Sequence, residues 1–239
     1  MINLPELNCD LGEGIACEAD IFPWIDAASV ACGGHTGDEV SLTETLGLAK
    51  KLNKKVGAHP SYPDQENFGR VSIEINDDSL INSIYSQIQL FERIAERVGI
   101  PMSHIKFHGA LYNDSSSNPD LAGKLVDFLK NQYPTIPLFT PPTSILHHLA
   151  VEKGLSCKLE LFGDRVYQDN YQLLPRLLPN ALLIGKNEVS SQISDILEKG
   201  YIITSTNNKL KVKADTICLH GDNPKIMDFL PSIRKHYWS

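Results

Sequence analysis

Short apolar, β-branched runs recur along the chain, each closing on a polar residue near glycine or proline. They occupy residues 7–10, 28–32, 55–59, 105–108, 137–140, 158–162 and 216–220. Helical periodicity fills most of the gaps. The clearest case is 78–98, where Ile81, Ile84, Tyr85, Ile88, Phe91, Ala95 and Val98 share one face and Gly99 stops the helix. Asn118 predicts an N-cap, with Pro119 at the first helical position and Leu121, Leu125, Phe128 and Leu129 as the buried stripe. Asp38 caps a helix ending near Asn53, and Thr143 or Ser144 one ending near Gly154. Pro224 opens a last helix through Ile226, Phe229, Leu230 and Ile233. Residues 201–205 and 210–212 read as a β-ribbon turned by Asn207-Asn208. The serine-rich stretch 114–118 reads as a mobile loop.

Strands alternating with helices imply parallel pairing with right-handed crossovers. About seven such repeats in 239 residues favour a closed barrel, and no linker or composition shift divides residues 1–239. The chain is therefore read as one α/β domain, a (β/α)7-type relative of the TIM barrel. At 42% hydrophobic and 21% charged it fits neither a disordered nor a fibrous class. Apolar runs fall short of a spanning helix, and the N-terminus lacks a signal-peptide pattern, so a soluble, cytoplasmic chain is expected. The net charge of −7, with no basic stripe, excludes a nucleic-acid tracker. Five cysteines in an irregular pattern point to reduced thiols.

Candidate chemistry gathers at the strand ends. His35, His59, His108 and His220 each stand at or just past such an end, which in a parallel barrel is the rim that carries active sites. Asp10 ends the first strand and Glu13 follows it. Asp38, Asp64 and Asp222 lie in neighbouring loops, where Asp38 also reads as a helix cap and Asp222 as a turn residue. Lys106 alternates with His108, so both face one way. Arg70 sits in a long loop that reads as a lid over an anion, and Arg165 follows Asp164, with an ion pair to Asp164 or Glu160 as its structural alternative. On position alone, Asp10 with His59 or His108 forms the acid–base pair, and Lys106 and Arg70 hold a carboxylate or phosphoryl group. A divalent metal on Asp10, His35 and His59 is the competing reading. Cys32-x-x-His35 does not make a structural zinc site, and neither a phosphate loop nor a dinucleotide fingerprint occurs.

Six blocks carry a resemblance. Leu7-Asn8-Cys9-Asp10-Leu11-Gly12-Glu13, Ala31 through Asp38, and Gly57 through Asp64 with Phe68-Gly69-Arg70 are similar to the LamB/YcsF family. So are Lys106 through Asn113, Glu160 through Arg165, and Cys218-Leu219-His220-Gly221-Asp222. That family is identified with the A subunit of a bacterial ATP-dependent 5-oxoprolinase. The resemblance implies a barrel of the glycoside hydrolase/deacetylase kind, ATP as co-substrate, 5-oxoproline as substrate and partner subunits B and C. It also implies substrate contacts from Asn8, Glu13, His35, Asp38, Arg70, Tyr112, Asn113, Glu160, Arg165 and His220. The chain departs from the family pattern in a shorter 14–28 segment, Gly34 for a common Phe, Gly163 for a common Ala, and Asn180 within the usual Pro-Gly-Ala. Two alternatives stand beside this one: a metal-dependent amide or sugar deacetylase, and a non-catalytic subunit that binds its partners.

Overall fold

The computed structural model describes residues 4–238. Seven parallel strands close into a barrel in the order β1 (Glu6–Leu11), β2 (Ala27–Ala31), β3 (Lys55–His59), β4 (Met102–Ile105), β5 (Leu138–Thr140), β6 (Cys157–Phe162) and β9 (Thr216–Cys218). The expected seven-stranded α/β barrel is the observed one. Outside it, β7 (Tyr201–Ile203) and β8 (Lys209–Lys211) pair antiparallel as the expected ribbon. Its turn is longer than two residues, because Thr204 N–H donates to Asn208 O and Asn207 takes φ 66° inside the loop. Among the described residues, no helix is long and apolar enough to cross a membrane.

The helices form because their apolar stripes match the outer face of the sheet. Short helices α1 (Glu18–Ile21) and α7 (Lys186–Ser194) lie in the connections that follow β1 and β6. In α2 (Glu39–Lys51), Asp38 accepts from Ser41 N–H while Ser41 Oγ accepts from Asp38 N–H, a reciprocal cap. In α3 (Asp77–Val98), Asn76 caps Ser79 N–H and Gly99 ends the helix at φ 76°. Its buried Leu80, Ile84, Ile88, Phe91 and Ile94 each contribute roughly 1.5–3 kcal/mol by leaving water. Gln87 interrupts that stripe because it has work beneath the sheet end: its amide accepts from Ser61 N–H and donates to Ser61 O. The remaining helices of this layer are α5 (Pro119–Gln132) and α6 (Ile145–Glu152), capped by Asn118 and Ser144.

Three local expectations change. Residues 114–117 belong to α4 (Gly109–Ser117), not to a mobile loop; Ser115, Ser116 and Ser117 donate to main-chain carbonyls one turn back, which lets polar residues end a helix. The last helix, α8 (Ile226–Tyr237), begins after Pro224, because Asn223 O accepts from Ile226 N–H and Pro224 lies within that turn. The fourth strand ends at Ile105, so Lys106 and His108 follow it. Their N–H groups still reach Ala58 O and Pro60 O beside β3, which preserves the alternation that sends both side chains to one side.

The interior of this barrel is polar. Leu7, Cys9 and Leu11 of β1 join the apolar layer outside, while Asn8 and Asp10 alternate inward. Asn8 donates to Glu160 Oε1 of β6 at 3.0 Å and to Thr216 Oγ1 of β9 at 2.7 Å. A bond from β1 to β6 spans the intervening β9 and exists only across the lumen. Polar groups there point towards the rim, and their partners define the site.

Candidate active site

At the strand C-termini a cavity of about 690 Å³ opens, with buried titratable groups as its floor. Lys106, 2% exposed at its side chain, is the hub. Its ammonium reaches Asp10 Oδ1 at 2.7 Å, Glu160 Oε1 at 3.0 Å and Cys218 Sγ at 3.3 Å. It donates to Asp10 and Cys218 and pairs with Glu160, so the protein already engages this cation on three sides. Burial opposes the charge on Lys106, but Asp10 and its other neighbours outweigh it and hold the ammonium well above its usual range. Burial would likewise raise Asp10, yet Lys106 and His59 hold that carboxylate well below its usual range.

From Asp10 the floor continues through histidines. His59 Nδ1 lies 2.8 Å from Lys106 O, and His108 Nε2 lies 3.0 Å from Phe68 O. A carbonyl only accepts, so each of these nitrogens carries a hydrogen, and the tautomers follow from that network. The other two ring nitrogens, His59 Nε2 and His108 Nδ1, face each other at 3.0 Å. Asp10 Oδ2 is 3.5 Å from His59 Nε2. Burial and the neighbouring His35 and His59 push His108 well down. Beside the pair stands Glu13, 4% exposed at its side chain, 3.5 Å from His108 Nδ1 and 3.2 Å from His35 Nε2. Burial, then Asp10, pushes Glu13 up to about 7. His35 stacks flat on His108 at 3.6 Å, and burial with His59 pushes it down to about 2.

Three loops build the mouth. Phe68-Gly69-Arg70 is fixed to the floor, because Phe68 O accepts from His108 and Gly69 O from Ala110 N–H. That approach requires glycine at 109: a Cβ there would lie 2.4 Å from Gly69 O. In this structure the segment expected to be a lid also meets the first turn of α4, through Gly69 O. Arg165 donates to Ala181 O and Leu174 O, strapping down the stretch that carries Arg176. Arg70 and Arg176 then converge on Asp222 at 2.6 Å each.

The sequence profile of the LamB/YcsF family matches residues 5–238. The chain belongs to that family. It is 34% identical over 230 residues to the 5-oxoprolinase A subunit of Histophilus somni, covering 96% of this chain and 93% of the relative. It is also 34% identical over 235 residues to the 5-oxoprolinase A subunit of Pyrococcus abyssi, covering 96% and 92%. The crystal structure of the lactam utilization protein of Thermus thermophilus superposes with a TM-score of 0.87 at 29% identity, covering 97% of this chain and 94% of that one.

In this LamB/YcsF chain, Asp10, Glu13, His59, Lys106, His108 and Tyr112 line the inner cavity, and Asn113, Arg70, Arg165 and His220 its walls and mouth. Asn8, His35 and Glu160 stand behind that lining and act on it through Lys106, Glu13 and His108. Asp38 is outside the site: it is the exposed cap of α2. Arg165 forms neither expected ion pair, since its donors meet carbonyls. Asp164 instead accepts from His220 Nδ1 at 2.8 Å and from Asn223. Tyr112 Oη, Asn8 Oδ1 and Glu160 Oε2 are buried without hydrogen-bond partners. Arg176 was absent from the expected set, although it stands in the Leu174-Pro175-Arg176 stretch beside a family departure.

The expected metal set also shifts. The groups whose ligand atoms lie within 4.8 Å of one another are Glu13, His59 and His108. His35 is turned to Glu13, and one oxygen of Asp10 is engaged by Lys106. The nitrogen and oxygen donors of the observed set suit zinc or iron, and the second ring nitrogen of each histidine is already oriented by a carbonyl.

Proposed function

We propose that this chain carries the lactam-opening site of a 5-oxoprolinase, hydrolysing 5-oxoproline to L-glutamate with ATP as co-substrate, in the cytoplasm and together with subunits B and C. The observation that carries this reading is the buried Asp10–His59–His108–Glu13 run on the cavity floor, in a chain whose relatives bear that name. An unstrained amide is a poor electrophile. Transfer of the terminal phosphoryl group from ATP to the lactam oxygen releases ADP and makes the carbonyl carbon attackable. Water adds, the ring C–N bond breaks to leave an acyl phosphate, and a second water releases inorganic phosphate and glutamate.

Two proton transfers accompany ring opening. Glu13, near 7, takes a proton from the attacking water. The hydrogen between His59 and His108 belongs to His59, because His108 is held neutral by burial and its neighbours. His59 Nε2 also faces Asp10, and from there it delivers that proton to the departing nitrogen. Asp10 is too strongly held by Lys106 to act as the base; it orients His59. Such positioned acid–base catalysis is worth about 10²–10⁴-fold.

A metal-dependent hydrolase is the second reading, favoured by the Glu13, His59 and His108 cluster. A divalent ion held by those three residues would supply Lewis-acid polarisation of the scissile carbonyl. Glutamate formation from 5-oxoproline separates the two, measured for the chain alone and mixed with subunits B and C, with and without ATP. Product only with ATP and partners supports the lactamase reading. Amide hydrolysis by the chain alone, lost on chelation, supports the other.

A further inference from the structure

Among the described residues, the lysine on the cavity floor is not free to meet an anionic substrate. Lys106 is engaged on three sides by protein groups, two of them carboxylates. Any carboxylate on the substrate must be met elsewhere in the same cavity, and the mouth is built differently. Arg70, Arg165 and Arg176 line it together with Glu66, Asp114 and Asp222, and among the described residues Asp222 is the carboxylate that Arg70 and Arg176 touch. Asp164 forms no ion pair with them, since His220 and Asn223 engage its oxygens, but its charge still acts on Arg165.

The hydrogen bonds sharpen the imbalance. Arg165 donates to the carbonyls of Ala181 and Leu174, which accept hydrogens but neutralise no charge. Arg70 uses only Nη2 on Asp222, and Arg176 likewise uses Nη2, on both Asp222 oxygens. Among the described residues, Nε and Nη1 of both guanidiniums have no hydrogen-bond partner. A guanidinium carries five N–H donors in a planar fork matched to carboxylates and phosphoryl groups. The three cations also feel one another: burial, then Arg176, pushes Arg165 down to about 10. In a chain of net charge −7, two guanidiniums sharing the one carboxylate of Asp222 leave that cluster with net positive charge.

Each arm is anchored. Arg70 follows Phe68 and Gly69, which are bonded to His108 and to the start of α4. Arg176 lies between the two carbonyls that Arg165 holds. Asp222 comes from the loop after β9 and ties the two arms together. Guanidiniums held this firmly lose little freedom when a ligand arrives.

We infer that Arg70 and Arg176, tied together by Asp222, form an anion subsite at the cavity mouth that takes the carboxylate of the lactam substrate. The inference rests on the lactam reading of the floor and adds what selects the substrate. A lactam bearing a carboxylate is held at both ends, by the mouth and by the floor, whereas the same ring without it meets the floor alone. Arg176 is then a specificity residue, and the unused N–H groups of both arginines are its recognition surface.

The test compares 5-oxoproline with 2-pyrrolidinone, the same ring lacking the carboxylate, in the assembled enzyme with ATP. Wild type, R176Q, R176K and R70Q are measured, with thermal unfolding of each variant to establish that it folds. The expected result is at least a tenfold rise in KM for 5-oxoproline in R176Q, with kcat changed much less. Preference for 5-oxoproline over 2-pyrrolidinone should fall by a similar factor, and R176K should restore it only in part because an ammonium lacks the fork. Unchanged preference in a folded R176Q with 5-oxoproline still consumed overturns the subsite and leaves the lactam reading standing. Equal use of both rings by the wild type overturns it too. Inhibition by inorganic phosphate that disappears in R176Q, with carboxylate preference intact, assigns the arginines to a phosphoryl group instead. If neither ring is consumed, the lactam reading fails. Calorimetry of wild type and R176Q with 5-oxoproline then decides the subsite: Arg176-dependent binding supports it, and no binding overturns it.

Discussion

His59 Nε2 and His108 Nδ1 approach to 3.0 Å, while the opposite nitrogen of each ring is bonded to a main-chain carbonyl. Two neutral imidazoles in those tautomers would oppose lone pairs, so the contact calls for one further hydrogen in the acid–base reading, or for the divalent ion of the metal reading. Asp10 lies next to that hydrogen, and Glu13 flanks the far ring. The chemistry proposed for this chain follows from where that proton sits.

Glu13 sets a pH limb. With its carboxyl raised to about 7, activity of the assembled enzyme should rise through neutrality as the base ionises. In E13Q that rising limb should vanish along with most of the rate. The stability sign runs the other way. A carboxyl whose folded value exceeds its unfolded one stabilises below the unfolded value and loses that contribution as pH climbs past the folded value. E13Q should therefore resist unfolding better than wild type above pH 7, which thermal melts at pH 6 and 8 would show.

Lys106 is a structural hub before it is anything else. Replacing it by Met leaves Asp10 and Glu160 buried without their cation, and removing one partner of a buried pair typically costs about 3–5 kcal/mol. Urea titration of K106M should show a loss of that size. A stability within 1 kcal/mol of wild type, about the worth of an exposed pair, would mean the lysine does not neutralise both buried carboxylates as described.

Acid stability depends on Asp26. Arg234 clamps it through two bonds at 2.7 Å and Leu7 N–H adds a third. Burial opposes these bonds, but they hold the carboxyl below its usual value of 3.8. A lowered carboxylate stabilises above its unfolded value and loses that contribution as pH falls through the folded one. D26N should cost about 1–3 kcal/mol at pH 7, and its deficit against wild type should shrink below pH ~4.

The strands, the caps and the convergence of Asp10, His59 and His108 were legible in the sequence, because apolar alternation and strand-end position are local signals. The partners of Lys106 were not: Asp10 and Glu160 lie 96 and 54 positions away and meet it only once the barrel closes. Arg165 and Asp164 are adjacent in sequence yet face different partners, which only tertiary contacts decide. Serines 115–117 misled because their propensity for loops is overridden by bonds to the preceding turn.

Gly34, where the resemblance leads one to expect Phe, sits in a tightly filled space. A Cβ there would fall 2.3 Å from both Gln87 Oε1 and Ser61 Oγ. Those side chains fill the space, and Gln87 holds both main-chain groups of Ser61 just past His59. Introducing Phe at 34 alone should break that clasp and lower the melting temperature by several degrees, the shift that about 1–3 kcal/mol produces in a chain of this size. Differential scanning calorimetry of G34F measures it.

The most direct measurement is the rate of glutamate formation from 5-oxoproline by the assembled enzyme carrying H59Q, at saturating ATP and with folding verified. Glutamine keeps much of the shape but cannot deliver a proton to the leaving nitrogen. The account predicts a fall in kcat of at least 100-fold, about 2.7 kcal/mol in the barrier. A folded H59Q enzyme that keeps more than a tenth of the wild-type rate would contradict it.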